Sequence, residues 1–579
     1  MMLKPFEPAS TYAPPTLDAT RWANLEPLYR GLIDRPLKCA GCLEQLILDR
    51  SELDAAASEA GSVLYVNMTC RTDDPATKAA YLAFLEQVEP ELKRVGFELD
   101  RKIHASPFKG ELDPARFGVL LRDLATAVEL FRPENIPVET ELAKLSQQYQ
   151  EITGAMTVRF RGEEKTLPQM ARYQEEPDRG TREEAWRVVV ERRAADRDRI
   201  EAIFEQMLVR RQQVARQAGF ANFRDYAHKA KRRHDYTPED CARFAEGVER
   251  HVVPAMRRLN AQRRAALGLD SLRPWDLAVD PLGRPALKPF TTGQDLLERS
   301  VRVFRRMDAS PGGLADLFDV LVHPPAGVSC LDLESRKGKA PGGYQANRDR
   351  MRLPFIFMNA ASVQRDVETM VHEAGHAFHA LLCRGDPILA NRAEIPLEFA
   401  EVASMSMELT SHPYLEEFYG SRADADRARR VHLEQIAVLL PWIATIDQFQ
   451  QWLYTNPGHT PADRTATWRS LRARFGPAVD WSGLEDHLDA EWHRQGHLFG
   501  APFYYIEYGI AQLGALQLFN RYRTDPVGAI ADYKRALTLG GSRPLPALFE
   551  AAGLTFDLSP GRIERTWGQV ERVLEELPA

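Results

Sequence analysis

The stretch Thr369–Leu382, TMVHEAGHAFHALL, decides how the rest of this sequence is interpreted, because it places three histidines, one glutamate and one glycine in an apolar segment. His372 and His376 are four residues apart, so on a helix both imidazoles lie on one face and can converge on a single cation. Glu373 lies about 100° around the helix axis, where it can reach a water on that cation without ligating it. This H-E-x-x-H pattern has the residue types that zinc-assisted hydrolysis requires. The alternative is a core helix whose histidines are satisfied by hydrogen bonds.

The sequence on both sides of this stretch supports a helix. Asp366 is expected to precede this helix and to favour its N-terminal end. The sequence CRGDP (Cys383–Pro387) ends the helix with a glycine and a proline. A second helix is predicted to begin after Pro396, with the sequence PLEFAEVASMSMEL.

A third protein ligand is expected from the second helix, which carries Glu398, Glu401 and Glu408. Glu401 has apolar or small neighbours, so we expect it to point inward and leave a fourth metal position open for water. Otherwise it is a surface carboxylate. Glu408 lies on roughly the same face and is expected to orient a ligating histidine, or else to be a buried hydrogen-bonding carboxylate. His379, three residues after His376, is poorly placed for tetrahedral convergence, and we expect it to be structural or to lie behind the ligands.

The bulk composition is that of an ordinary soluble globular protein. The chain has 579 residues, a formal net charge of -7, 44% hydrophobic residues and 27% charged residues. Nothing in this balance favours nucleic acid as a general partner, and the basic run Lys229–His234 is interpreted as a solvated helix face. No stretch is apolar for the roughly 18 residues of a spanning helix, and MMLKPFEPAS at the N-terminus has no apolar signal core. We therefore expect no membrane partner and a cytoplasmic location.

The six cysteines are too few in so long a chain to form a disulfide framework. Cys39 and Cys42 form a single C-x-x-C. A zinc knuckle requires a second pair, and none follows at a suitable spacing. We interpret these two residues as ordinary thiols, with redox chemistry as the alternative.

Apolar residues at three- and four-residue spacing predict that most of the chain is helical. Strand signals are sparse: residues 155–167 alternate and could form a small hairpin, and residues 352–359 form a short apolar run just before the histidine helix. The segment 335–344 has too many glycines and lysines for a regular element. A soft boundary near residue 185 divides a helical N-terminal region, residues 1–185, from a helical catalytic region, residues 186–579.

Hydrogen-bond donors for a reacting carbonyl are expected in the sequence GHLFGAPFYYIEYGIAQLGALQLF, which begins at Gly496. Tyr505 and Tyr508 are three residues apart and lie on one helical face. Phenol groups are neutral donors at pH 7, which suits them to an oxyanion. His497 and Tyr504 lie in the same segment. The alternative for each tyrosine is aromatic core packing.

The sequence APGGY, which ends with Gly343 and Tyr344, precedes the predicted strand. An extended peptide can add its backbone to an exposed strand edge, and glycines allow the close approach that this requires. We therefore expect Gly343 and Tyr344 to bind substrate. The alternative is a mobile surface loop.

The sequence HEAGHAFH, followed by EIPLEFAEVASMSMEL, resembles the M3 family of zinc metallopeptidases. The similarity is closest to the oligoendopeptidase F and Pz-peptidase types, and its motifs extend from Gly219–Cys241 to LGGSRPLPALFEAAGL near the C-terminus. The N-terminal third resembles the family only in being helical with a small hairpin. The resemblance implies that His372, His376 and Glu401 ligate one Zn²⁺ and that Glu373 is the general base.

The resemblance also implies a mostly helical, gluzincin-type fold with a deep cleft, and hydrolysis of internal bonds in short, unstructured peptides. By similarity, His497, Tyr505 and Tyr508 are assigned as catalytic residues across the cleft from zinc. Tyr504 is an alternate and is expected to bind substrate. Three alternatives stay open: a dipeptidyl-carboxypeptidase, a metallocarboxypeptidase and a catalytically inactive peptide-binding scaffold. The ligand set also accepts Mn²⁺ or Co²⁺. The sequence does not predict the oligomeric state.

Overall fold

The computed structural model describes residues 10–578, and nearly all of the N-terminal stretch interpreted above lies outside the described residues. Within that range the chain is mostly helical, as predicted. The α-helices are α1 Trp22–Asp34, α2 Ala40–Cys70, α3 Pro75–Gln87, α4 Glu89–Ala105, α5 Pro114–Leu130, α6 Asn135–Gly154, α7 Leu167–Met170, α8 Arg179–Ala194, α9 Arg197–Gln217, α10 Phe223–Ala230, α11 Pro238–Gly247, α12 Val253–Ala266, α13 Gly293–Met307, α14 Leu314–Val322, α15 Gln364–Cys383, α16 Leu389–Ala393, α17 Leu397–Thr410, α18 Glu416–Tyr419, α19 Arg422–Thr455, α20 Pro461–Phe475, α21 Glu485–Asp489, α22 Gly496–Gly500, α23 Tyr505–Tyr522, α24 Pro526–Leu537, α25 Leu545–Ala551 and α26 Pro560–Glu576. The strands are β1 Thr157–Phe160, β2 Glu163–Thr166, β3 Leu331–Glu334, β4 Tyr344–Arg348 and β5 Leu353–Ala360.

The two helices that the sequence predicts around the metal-ligand candidates are α15 and α17. Asp366 lies in the first turn of α15 and not before the helix as expected. Its carboxylate accepts hydrogen bonds from the backbone N–H groups of Ala361 at 2.7 Å and Val363 at 3.1 Å. The helix ends at Cys383, at the predicted glycine–proline stop. The next long helix, α17, begins one residue after Pro396, as predicted.

The strands form two small sheets. β1 and β2 are the predicted antiparallel hairpin. In the second sheet β5 is central, with β3 parallel to it on one side and β4 antiparallel on the other. The sequence predicts β5 but not β3 or β4, because four or five mostly polar residues carry little periodicity and their backbone is ordered by pairing with β5.

The site region is built by helices that pack on this sheet. α15 packs against β5 on one side and α17 on the other, and α23 covers α17. The long helix α2 lies against the edge strand β4. The main hydrophobic core draws on residues 145–574, and a separate core draws on residues 19–124 together with Ile388. The boundary near residue 185 stays a prediction, and α8 runs through that position.

The longest helices carry charged residues along their length. α2 has 31 residues and α19 has 34 residues, and α19 contains Pro441 in its interior. Across residues 10–578, no helix combines the length and the apolar character that crossing a membrane would need.

The two cysteines of the C-x-x-C stand at the N-terminus of α2. The Cys39 side chain accepts a hydrogen bond from the Cys42 backbone N–H at 3.2 Å, and the two sulfur atoms lie 2.6 Å apart. All six cysteines are free thiols in the part of the chain that the structure describes. Their interpretation as ordinary thiols stays a prediction.

Candidate active site

The predicted metal ligands lie together between α15 and α17. Nε2 of His372 is 3.4 Å from Oε2 of Glu401, and Nε2 of His376 is 3.9 Å from the same oxygen. The ligand atoms of all three side chains lie within 4.8 Å of one another. Two donors at tetrahedral positions, with metal bonds of about 2.0–2.2 Å, are roughly 3.4 Å apart. Two imidazole nitrogens and one carboxylate oxygen at this spacing fit a divalent metal ion.

A close contact between helices brings Glu401 to the histidines. A Cβ atom at Gly375 would lie 2.6 Å from both the carbonyl oxygen of Ala403 and the Cα of Ser404, so only glycine allows α17 this close to α15. The Ser404 hydroxyl donates to Oε2 of Glu401 at 3.0 Å. Burial raises the pKa of Glu401, and the charge of His372 opposes that rise.

Glu408 stands directly behind His372. Its Oε1 lies 2.6 Å from Nδ1 of His372, and its Oε2 lies 3.0 Å from Nε2 of His432. Nδ1 of His432 is in turn 2.8 Å from Nε2 of His412. Glu408 holds the Nδ1 side of the His372 ring, so Nε2 faces Glu401. A metal ligand needs this arrangement, with the proton on Nδ1 and the lone pair on Nε2. The sequence predicts the position of Glu408 but gives no motif for His432 or His412, which lie beyond α17.

The contact between His372 and Glu408 shifts the pKa values of both residues. Burial disfavours a charged His372, but the hydrogen bond and charge of Glu408 outweigh burial and raise the pKa of His372 to about 9. Burial would raise the pKa of Glu408, but hydrogen bonds to His372 and His432 hold it well below its usual range. In the metal-free protein the two residues therefore form an ion pair.

Glu373 is on α15, and its side chain lies between that helix and the edge strand β4. It is 7% exposed, and burial raises its pKa to about 7. The charge of His372 and the backbone N–H of Gln345 on β4 limit the rise. A carboxylate that titrates near neutral pH is suited to accept and return a proton. Because the backbone of Gln345 contacts Glu373, strand β4 passes beside the metal-ligand cluster.

Two other candidates from the sequence lie outside the cluster. His379 is buried, its ring centre is 5.8 Å from that of Phe399, and burial lowers its pKa to about 3. Within residues 10–578, neither of its ring nitrogens has a hydrogen-bond partner. This packing fits the structural alternative for His379. Glu398 is also buried, and it accepts a hydrogen bond from Tyr236 at 2.7 Å.

The histidine and tyrosines predicted from the C-terminal segment form one aromatic cluster. The ring of His497 lies 5.4 Å from Tyr504, 5.0 Å from Tyr505 and 6.2 Å from Tyr508, measured between ring centres. Burial raises the pKa of Tyr504 and of Tyr508. The hydrogen bond between their hydroxyls raises the pKa of Tyr504 further and limits the rise at Tyr508, and the charge of Glu401 adds to the rise in both. The two phenols therefore stay neutral donors at pH 7 and lie within the electrostatic reach of a metal-ligand candidate.

Tyr505 lies on another side of this cluster. Burial raises its pKa, and hydrogen bonds with Gln495 and Trp442 limit the rise. The Trp442 N–H can only donate, and it donates to Oε1 of Gln495 at 3.1 Å, which fixes the orientation of the Gln495 amide. Nε2 of Gln495 then donates to Nδ1 of His497 at 2.8 Å. Burial, followed by the charge of Lys231, lowers the pKa of His497, so the ring is neutral with its N–H at Nε2.

Of the predicted substrate-binding residues, Gly343 stands immediately before the edge strand β4 and Tyr344 is its first residue. A Cβ atom at Gly343 would lie 2.9 Å from the Thr369 side chain, so glycine allows β4 to approach α15. The Tyr344 hydroxyl is 2.5 Å from Thr69 on α2, and its ring stacks on Phe357 at 4.7 Å. The Tyr344 side chain therefore joins β4 to α2. Among residues 10–578, no strand pairs with the outer edge of β4.

The basic run Lys229–His234 is not a solvated helix face, and that interpretation is wrong. α10 ends at residue 230, and the chain turns inward. Arg233 is buried and donates to Glu507 Oε1 at 2.7 Å and to the carbonyl oxygen of Phe503. Nζ of Lys231 lies 3.3 Å from a Glu507 oxygen. Composition alone does not reveal this, because the acidic residue that pairs with Arg233 and Lys231 lies more than 270 residues later.

The fold and the site are those of a helical metallopeptidase. The chain belongs to peptidase family M3, whose family model matches residues 172–565. The resemblance to oligoendopeptidase F and Pz peptidase and the mostly helical fold are thereby confirmed.

Similar proteins support the same assignment. The chain is 24% identical to the oligoendopeptidase F homolog of Borreliella burgdorferi over 229 residues, which is 38% of this chain and 37% of that protein. It is 23% identical to oligopeptidase PepF of Bacillus subtilis over 344 residues, which is 57% of this chain and 48% of that protein. The chain thus spans less than half the length of these curated relatives.

Solved structures match over nearly the whole chain. A structure of Pz peptidase A with an inhibitor has a TM-score of 0.85 and 27% identity, covering 96% of this chain and 97% of that chain. Oligoendopeptidase F from Enterococcus faecium has a TM-score of 0.63 and 15% identity, covering 96% of each chain, and at that identity it shows the fold alone.

Proposed function

We propose that this protein is a zinc-dependent oligopeptidase that hydrolyses internal bonds of short, unstructured peptides. The observation that carries the proposal is the cluster of His372, His376 and Glu401, whose ligand atoms all lie within 4.8 Å of one another beside the buried Glu373. Membership of peptidase family M3 supports it. Two histidines and one carboxylate, with a fourth position left for water, are a common ligand set of catalytic zinc.

The residues of the chain divide the chemistry between them. When bound, zinc would supply a Lewis acid that polarises the scissile carbonyl and lowers the pKa of water. Glu373 takes the proton from the attacking water and later returns it to the departing nitrogen. Tyr508 and the Nε2–H of His497 are the proposed neutral donors to the oxyanion. Tyr505, which the resemblance also implies, and Tyr504, whose hydroxyl is hydrogen-bonded to that of Tyr508, are the further candidates.

The substrate is proposed to lie along β4. A peptide in extended conformation would pair with the outer edge of this strand through main-chain hydrogen bonds, which do not depend on side-chain identity. A folded protein has few free extended segments, so this mode favours unstructured peptides. Gly343 and the backbone of Tyr344 would form one end of this surface. We also propose a cytoplasmic location, which the free cysteines support.

Substitution of Glu373 tests the proposal. Glu373→Gln keeps the size of the side chain but removes the proton acceptor, and we expect kcat for a quenched-fluorescence peptide to fall by roughly 10²–10⁴-fold. Zinc content should stay at one ion per chain, because Glu373 is not a ligand. Glu416→Gln, at an exposed position on α18, is the control. Hydrolysis by Glu373→Gln at the wild-type rate, or full activity of metal-stripped wild type, would contradict the proposal.

A further inference from the structure

A narrow cavity with four arginines in its lining lies at the C-terminal end of α15. It is enclosed by the end of β4, the turn before β5 and the short helix α16. Its charged lining consists of four guanidinium groups and one carboxylate, from Arg348, Arg352, Arg384, Arg392 and Asp349. None of these residues belongs to the proposed catalytic machinery.

Arg392 has unmet hydrogen-bonding capacity at this cavity. The residue is 5% exposed, and its Nη1 donates to the backbone carbonyl oxygen of Asp349 at 3.0 Å. Among residues 10–578, no acceptor lies within hydrogen-bonding distance of its Nε or Nη2. Buried polar groups are almost always hydrogen-bonded, so two unmatched donors on one buried cation indicate an acceptor that the chain itself does not provide.

Positive charge exceeds negative charge by one around these donors, because the four guanidinium groups have three carboxylates nearby, those of Asp349, Glu52 and Asp386. Arg352 donates to Oε1 of Glu52 on α2 at 2.9 Å, and the Asp349 carboxylate accepts from the Ser58 hydroxyl at 2.6 Å. Arg392 hydrogen-bonds to the backbone of Asp349 and not to the Asp349 carboxylate. Burial, followed by the charge of Arg392, lowers the pKa of Arg352 to about 10, as expected for crowded cations. Buried charges of one sign are costly without a counter-ion.

The size of the cavity limits the ligand. The space between the side chains holds about one water-sized group. A water molecule could accept two hydrogen bonds there but would not offset the charge. We propose that this cavity binds a monatomic anion of the size of chloride, held by Nε and Nη2 of Arg392 and by the neighbouring guanidinium groups.

The anion would join three parts of the site's framework. Ala380, which lines the cavity, is one helical turn beyond His376 on α15. Arg348 ends β4, and Arg352 ties the cavity to α2 through Glu52. A bound anion would therefore stabilise the packing of α2 and β4 against the helix that carries both histidines. This role is independent of the proposed peptidase activity.

Bromide provides a direct test on the unaltered protein. Bromide replaces chloride in such sites and scatters anomalously, so crystals of the full-length, zinc-loaded protein grown in sodium bromide should show an anomalous peak beside Arg392. The absence of a peak there, with an ordered water in its place, would overturn the proposal.

Thermal unfolding of the same zinc-loaded protein tests the site in solution. At equal ionic strength, sodium chloride should raise Tm over sodium gluconate by roughly 1–3 °C, with saturation. Arg392→Gln should lose the saturable rise, and Arg348→Gln should shift its midpoint to higher chloride. The exposed control Arg422→Gln, whose parent side chain is 83% exposed, should behave as wild type. Equal Tm in the two salts, or an unchanged chloride response in Arg392→Gln, would overturn the proposal. If Arg392→Gln does not fold, the bromide peak and Arg348→Gln decide.

Discussion

Gly375 on α15 lies so close to Ala403 on α17 that a Cβ atom at position 375 would be 2.6 Å from the Ala403 carbonyl oxygen. Glu401 precedes Ala403 by two residues on α17, and its carboxylate faces the Nε2 atoms of His372 and His376. The glycine within the histidine motif therefore has a steric role. It sets the distance between the two helices that hold the proposed ligands.

The first prediction concerns this contact. Gly375→Ala should push α17 away from α15, lower the free energy of unfolding by about 1–3 kcal/mol and weaken zinc binding, because added atoms in a packed interface must be accommodated. Urea unfolding and competition with a zinc chelator measure the two effects. Gly385→Ala is the matched control, since a Cβ atom there would meet no atom within 4 Å. Equal zinc affinity in both variants would show that the contact does not control the metal site.

The second prediction concerns the support of His372. Glu408→Ala removes the acceptor at 2.6 Å from its Nδ1, so the ring loses its fixed orientation. We expect zinc affinity to fall by roughly 10–100-fold. Competition titration against a fluorescent chelator measures the change, and Glu416→Ala, at an exposed position on α18, is the control. Affinities equal to wild type would mean that Glu408 serves only the packing of His432.

The third prediction separates the tyrosines. Tyr508→Phe should lower kcat by roughly 10²–10³-fold if its hydroxyl stabilises the oxyanion. Tyr505→Phe should have a smaller effect, because its hydroxyl interacts with Gln495 and Trp442. Steady-state kinetics with one quenched peptide compares the two variants. A larger loss in Tyr505→Phe would instead make Tyr505, which the resemblance also implies, the main donor.

The fourth prediction is a pH dependence of stability in the metal-free protein. The folded pKa of His372 is about 9, above its ordinary value of 6.5. A raised pKa contributes stability that is present below pH 6.5 and lost as the pH rises through 9. The loss for metal-free wild type should reach about 3 kcal/mol. In Glu408→Gln the loss should be smaller, because the carboxylate that raises the pKa is gone.

Urea unfolding in the presence of a chelator, at pH 6, 7, 8 and 9, measures this dependence. The zinc-loaded protein is the control, because a ligating His372 is neutral throughout this range. Identical pH dependence in metal-free wild type and in Glu408→Gln would exclude the ion pair as its cause.

The fifth prediction distinguishes an endopeptidase from an exopeptidase. A peptide that pairs with β4 through its backbone needs no free terminus, so acetylating its N-terminus and amidating its C-terminus should leave the rate and the cleaved bond unchanged. Mass spectrometry of the products checks this. Loss of cleavage on amidation alone would favour the carboxypeptidase or dipeptidyl-carboxypeptidase alternative.

Several elements could be predicted because their signals are local. The hairpin β1–β2 follows from alternation, and α15 follows from apolar spacing between Asp366 and the glycine–proline stop. β3 and β4 could not be predicted, because their order comes from pairing with β5. The burial of Arg233 could not be predicted either, because its counter-charge, Glu507, is distant in sequence.

The sequence by itself determined that His372 and His376 share a helical face with Glu373 between them, because helical periodicity alone relates residues four apart. Only the tertiary structure decided how closely the predicted Glu401 approaches them, which tyrosines face that carboxylate, and that His432 stands behind Glu408. These relationships cross from one helix to another. They depend on the interhelical distance, which Gly375 makes short, and on the rotation of each packed helix about its axis, and no local pattern encodes either quantity.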